Sequence, residues 1–150
     1  MKEKMILAVT LLLLTVPMIS AAAEPPKKTT VTYKVDPAYE VVIPTSMDVS
    51  YQATESVYGK IRVENALLEA DKCILVTMNS DGVLKNEVHP DAVIPYQILA
   101  DGKPFTKQTY TKTGEETKLV VSIAPEDWKK AAGGSYKTAI TFTISYVNRQ

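Results

Sequence analysis

The chain has 150 residues, with 17 Lys and Arg against 17 Asp and Glu, a formal net charge of +0. That balance excludes the basic surface by which proteins hold nucleic acid or anionic membrane. A single cysteine, Cys73, excludes an internal disulfide framework.

In chain order, Lys2 and Lys4 open a positive start, residues 5–19 form an apolar run, and Ser20-Ala21-Ala22-Ala23 supplies small residues. This is the tripartite pattern of a secretory signal peptide over residues 1–23, with cleavage after Ala23. The run is too short for the ~20 residues of a membrane span and carries Pro17. The expected location is therefore secreted, extracellular or in the cell envelope. Loss of Lys2, Lys4 and Glu3 leaves 15 basic and 16 acidic residues, so the mature chain also lacks a basic excess. No membrane insertion is expected once the signal is gone.

Residues 24–30 read as an extended leader, with Pro25-Pro26 and two lysines. From residue 31 the chain becomes a succession of strand signals. Val31, Tyr33 and Val35 alternate with Thr32 and Lys34, then Asp36-Pro37 breaks the run. Tyr39, Val41 and Ile43 alternate until Pro44, which is tolerated at a strand end. Val57, Ile61 and Val63 alternate with Lys60, Arg62 and Glu64, as in a strand wet on one face. Residues 66–70 suit either a brief helical turn or a crossing loop.

Residues 73–78, CILVTM, are apolar apart from Thr77 and predict a strand buried on both faces in mid-sheet. Asn79-Ser80-Asp81-Gly82 then turns the chain. Residues 93–99 form a further strand signal, and Asp101-Gly102 predicts a tight hairpin with residues 105–111 as its return strand. Residues 113–116 turn again, and 118–123 lead away. Residues 124–133 start with Pro and acids and end with lysines and glycine, predicting one or two helical turns near 125–132. Trp128 is expected to pack on the end of the fold. Residues 138–146 close the chain as an alternating ladder, with Ile140, Phe142, Ile144 and Tyr146 on one face.

About seven or eight short strands separated by turn signals predict an all-β fold, a single antiparallel immunoglobulin-like β-sandwich over residues 31–150. The segment 31–35 and the terminal ladder are expected in the same part of it.

The ending Gly134-Ser135-Tyr136, Thr138 and Ile140-Thr141-Phe142-Thr143-Ile144-Ser145 resembles the last strand of bacterial secreted cell-surface β-sandwich proteins. Fimbrial-subunit, spore-coat-like and WxL-type surface modules are the families meant. Tyr39-Glu40-Val41-Val42-Ile43-Pro44 is similar to their opening strand. The chain departs from them in lacking a cysteine pair, a Trp-x-Leu motif and an LPxTG sorting signal. The resemblance implies an envelope-associated structural or adhesive role.

Catalytic chemistry finds little support. Cys73 and His89 are the types of a nucleophile and its base, yet Cys73 lies in an apolar run and His89-Pro90 in a loop. Asp71, Asn79, Asp81, Asp91 and Asp101 sit near turns without the spacing of a calcium loop, which makes them turn formers. No catalytic, cofactor-binding or metal-ligating residue and no cofactor is expected. Lys34 and Asn148 are the types of a Lys–Asn isopeptide bond, but Lys34 alternates on the wet face. The expected function is that of a non-enzymatic structural or adhesive module acting through protein or glycan contacts. The alternatives are a pilin-like fibre subunit assembling by β-strand addition, with residues 29–35 as the donor, and an enzyme whose site no motif reveals.

Overall fold

A computed structural model describes residues 30–150 of the protein. The expected signal peptide and residues 24–29 of the leader lie outside them. The chain divides into two units, Met1–Lys34 and Val35–Gln150.

Residues 30–37 form no strand, and Val31 and Tyr33 are 90% and 87% exposed. The strand expected over 31–35 is therefore absent. Alternation equips a segment to lie half-buried, but a strand exists only where another backbone accepts its hydrogen bonds. The element brought against the terminal ladder is instead the next one, through stacking of Tyr39 on Tyr146 at 5.7 Å.

The second unit is all-β and antiparallel, and its sandwich-like layers hold eleven strands, more than the seven or eight expected. In chain order these are β1 (Ala38–Val42), β2 (Glu55–Leu67), β3 (Lys72–Asn79), β4 (Val83–Asn86), β5 (Val93–Pro95) and β6 (Gln97–Ala100). There follow β7 (Lys103–Pro104), β8 (Lys107–Tyr110), β9 (Glu116–Ser122), helix α1 (Pro125–Lys130), β10 (Tyr136–Lys137) and β11 (Thr141–Asn148). Three sheets result, ordered β1-β2-β9-β6-β7, β11-β3-β8 and β10-β4-β5.

Two of the surplus strands arise where one expected strand serves two sheets, while β4 and β10 form where no strand was expected. Residues 93–99 split at Tyr96, because Pro95 has no N–H to continue a ladder. Tyr96 donates its N–H to Gly82 O, and the chain then enters the larger sheet as β6. Residues 105–111 split likewise. Phe105 N–H bonds back to Ile98 O in one sheet, while Thr106 O accepts from Met78 N–H in another. Between them Asp101 (φ 49°) and Gly102 (φ 72°) form the expected tight hairpin.

The expected alternation of Val57 with Ile61 and Val63 also fails at one residue. Register shifts between Val57 and Gly59, so Ile61 and Val63 are fully buried while Val57 turns outward, 78% exposed. Ala66 and Leu67 belong to β2, and the turn after them closes with Lys72 N–H on Glu69 O. As expected, β3 is a central strand, and it carries buried Cys73, Ile74 and Val76.

One core joins the layers. Ile61, Val63, Ile98, Leu119 and Val121 from the five-stranded sheet meet Ile74, Val76 and Tyr110 from the β11-β3-β8 sheet. Ile94, Tyr96, Phe105 and Ile123 fill the crossings. Full burial of each such aliphatic side chain contributes on the order of 1.5–3 kcal/mol.

Candidate functional site

The irregular segment between β1 and β2 lies opposite the face of the small β10-β4-β5 sheet, and a cleft of about 720 Å³ runs between them. That volume falls within the range of small-ligand sites, about 300–1,000 Å³. Its floor is apolar. Leu84 and Ile94 are register partners on β4 and β5, and Tyr136 on β10 pairs with Asn86 two residues along β4. Side chains two apart on a strand share a face, which brings these residues together. Met47 and Val49 pack against the core on the opposite wall.

Trp128 closes one end. Its position follows from α1, whose Pro-Glu-Asp start and Lys-Lys finish complement the helix dipole. The indole Nε1–H donates to Ala53 O at 2.9 Å, and Tyr51 and the indole form a T-shaped pair, centroids 5.6 Å apart at 80°. Tyr51 is itself 73% exposed, so an aromatic ring held by Trp128 stands in solvent beside the cleft. Trp128 was expected to pack on the end of the fold; it does, half-buried, and it also walls the cleft.

The opposite wall depends on Asn86, the one buried polar side chain among the described residues, 2% exposed. Its Oδ1 accepts from the N–H groups of Val88 and His89, both at 3.0 Å, and its Nδ2 points at Gly133 O. Gly134 has φ +138°, and a Cβ there would lie 2.5 Å from Asn86 Nδ2. The sharp passage from α1 into β10 therefore needs glycine.

The polar groups of the mouth are unevenly committed. Glu87 is held by Lys137 at 2.5 Å, Tyr136 OH donates to Ala132 O, and Thr138 Oγ1 donates to Asp81. Lys85, first, and the Val83 N–H hold the Asp81 carboxyl below its ordinary pKa. Exposed Asp48 has no ion-pair partner among the described residues.

A second feature is the outer edge of β11, which among the described residues pairs only with β3. Arg149 N–H bonds Asp71 O, and Asn148 lies opposite Lys72. By the antiparallel alternation, residues 147, 145, 143 and 141 also bond β3, while the backbone groups of 142, 144 and 146 point outward; Asn148 O accepts from Cys73 Sγ. Phe142 stacks on Tyr58 at 6.3 Å, so the ladder's apolar face is turned to the other sheet.

The residues weighed for chemistry are dispersed. Cys73 is 3% exposed inside β3, whereas His89 lies on the exposed 87–92 loop. Asp101 makes the hairpin turn, Asp81 the turn before β4, and Asp71 O caps the C-terminal strand through Arg149. The Asn148 amide oxygen accepts from Lys72 Nζ, a different lysine from the Lys34 considered in the sequence. Among the described residues no group of three or more His, Cys, Asp or Glu is placed to hold a metal ion. No helix among them is long and apolar enough to cross a membrane. Sequence reasoning missed Tyr51, Asp48 and Asn86; none of them falls in a periodic segment.

Comparison with protein-family models finds no match, and comparison with curated proteins finds none.

Proposed function

We propose that the protein is a non-enzymatic structural or adhesive module of the extracellular space or cell envelope, acting through contacts with other macromolecules. The observation that carries this reading is the cleft walled by Trp128, with exposed Tyr51 fixed beside it. Apolar floor, aromatic wall and polar rim are the make-up of a binding site. The signal-peptide pattern supports the location. To test it, the chain from Glu24 is immobilised and exposed to envelope material, with Tyr51→Ala as the control. Saturable retention that Tyr51→Ala reduces several-fold is expected. Retention indifferent to Tyr51 removes the cleft from the account.

A second reading, a fibre subunit assembling by strand addition, is favoured by two observations together. Residues 31–35 alternate, are exposed and lie outside the strands, while β11, eight residues long, is an edge strand among the described residues. A neighbouring copy's segment would then bond the outward groups of residues 142, 144 and 146. Proline at 144 removes only an outward N–H, so Ile144→Pro should abolish concentration-dependent association while sparing the fold. Sedimentation velocity decides: a parent chain that stays monomeric at high concentration contradicts this reading.

A further inference from the structure

Resting on the reading of the cleft as the binding site, the uncommitted chemistry around it narrows the class of ligand. A saccharide needs free donors and acceptors converging on its hydroxyls, and most of those lining the cleft are already engaged. Trp128 Nε1–H is taken by Ala53 O at 2.9 Å, Tyr136 OH by Ala132 O at 2.9 Å, and Glu87 by Lys137. What remains is an apolar floor of Leu84 and Tyr136 above buried Ile94, the exposed ring of Tyr51, the carboxylate of Asp48 and the scattered hydroxyls of Ser46, Ser135 and Tyr51.

That residue set matches an apolar group with a cation next to it. An aliphatic or aromatic side chain fills the floor and gains from leaving water. A neighbouring ammonium or guanidinium meets the Asp48 carboxylate and the Tyr51 ring, whose face attracts cations. Charge complementarity points the same way. Asp48 and Glu87 face one lysine, Lys137, which leaves the mouth with one carboxylate in excess. A volume of about 720 Å³ holds more than one side chain, so a short stretch of backbone enters with them.

We propose that the cleft binds an extended peptide segment of a partner protein in which an apolar anchor residue stands beside a lysine or arginine. The anchor sits on Leu84 and Tyr136, above the buried Ile94, and the basic head lies between Asp48 and Tyr51. Specificity for the basic residue comes from Asp48, and affinity from the floor.

The chain supplies its own reporter, because Trp128 is its one tryptophan and forms a wall of the cleft. Trp128 emission is followed while the folded chain from Glu24 is titrated with the capped peptide Gly-Leu-Lys-Gly. Gly-Leu-Gln-Gly, Gly-Ser-Lys-Gly, maltohexaose and tetramethylammonium are titrated in parallel. The expected result is a saturable change with Gly-Leu-Lys-Gly, weakened about five- to tenfold by Lys→Gln, the effect of one exposed ion pair plus one cation–π contact. Asp48→Asn should reduce that preference to about twofold or less while leaving Gly-Leu-Gln-Gly binding unchanged. Asp48 is exposed, so this variant keeps the fold, and a matching thermal melt checks it. Equal affinity for the Lys and Gln peptides overturns the proposal, as does binding by Gly-Ser-Lys-Gly as tight as by Gly-Leu-Lys-Gly. Saturation by maltohexaose or tetramethylammonium with no response to any peptide overturns it as well. If every probe is silent yet envelope retention still depends on Tyr51, the binding-module reading stands and the ligand class falls.

Discussion

Asn86 shows how one side chain fixes a wall of the cleft. With its amide buried and three loop groups bonded or approached, Asn86→Ala leaves those groups without their partner and should cost about 1–3 kcal/mol. Gly134→Ala places a methyl against the same amide and forces φ +138° on an L-residue, for about 1–3 kcal/mol. Urea midpoints of the two variants check both figures; an unchanged midpoint for Gly134→Ala would mean that the passage into β10 does not need glycine. Neither residue announces this role in the sequence, where Asn86 sits in LKNEV and Gly134 follows the helix stop at Gly133 and opens the ending that resembles surface modules. Asp81 gives a pH-dependent counterpart. Its carboxyl is held below the ordinary value chiefly by Lys85, so it contributes stability above about pH 4, lost as the pH falls through the lowered folded value. An NMR titration should place its midpoint below that of a free aspartate, and Lys85→Met should bring it back up.

At the scale of elements, β11 closes the sheet whose centre is β3. The ladder is less buried than its alternation suggests: Phe142 and Tyr146 are half-buried, and Ile144 is 36% exposed. Its importance lies in pairing with β3 over eight positions, beside fully buried Ile74 and Val76. Truncation after Gly134 removes β10 and β11 together and should abolish the cooperative melt. Truncation after Val147 is expected to be felt too, against the view that the last three residues are idle. Arg149 bonds Asp71 O through its N–H and Lys72 O through Nε, and Asn148 accepts from Lys72, so a loss of about 1–2 kcal/mol is predicted. Calorimetry of the two truncations beside the full mature chain separates the cases. The existence of most strands was legible, because period-two alternation and turn residues are local signals. Their allocation was not: Tyr96 and Phe105 change sheets according to partners, Gly82 O and Ile98 O, that no local window contains. The missing strand over 31–35 has the same cause.

For the whole molecule, the all-β class was legible because eight turn-bounded apolar runs allow little else in a chain of this size. The cleft was not. Its floor comes from strands of only two to four residues, and its mouth from the aperiodic stretch around Asp48 and Tyr51. We propose that the protein acts by holding a macromolecule in that cleft. The most direct test compares retention of envelope material by the immobilised chain, by Tyr51→Ala and by Ile144→Pro, each checked for an unchanged melt. Saturable retention by the parent, a several-fold loss in Tyr51→Ala and retention by Ile144→Pro close to that of the parent are expected. Retention equal in the parent and Tyr51→Ala, or lost only in Ile144→Pro, would contradict it.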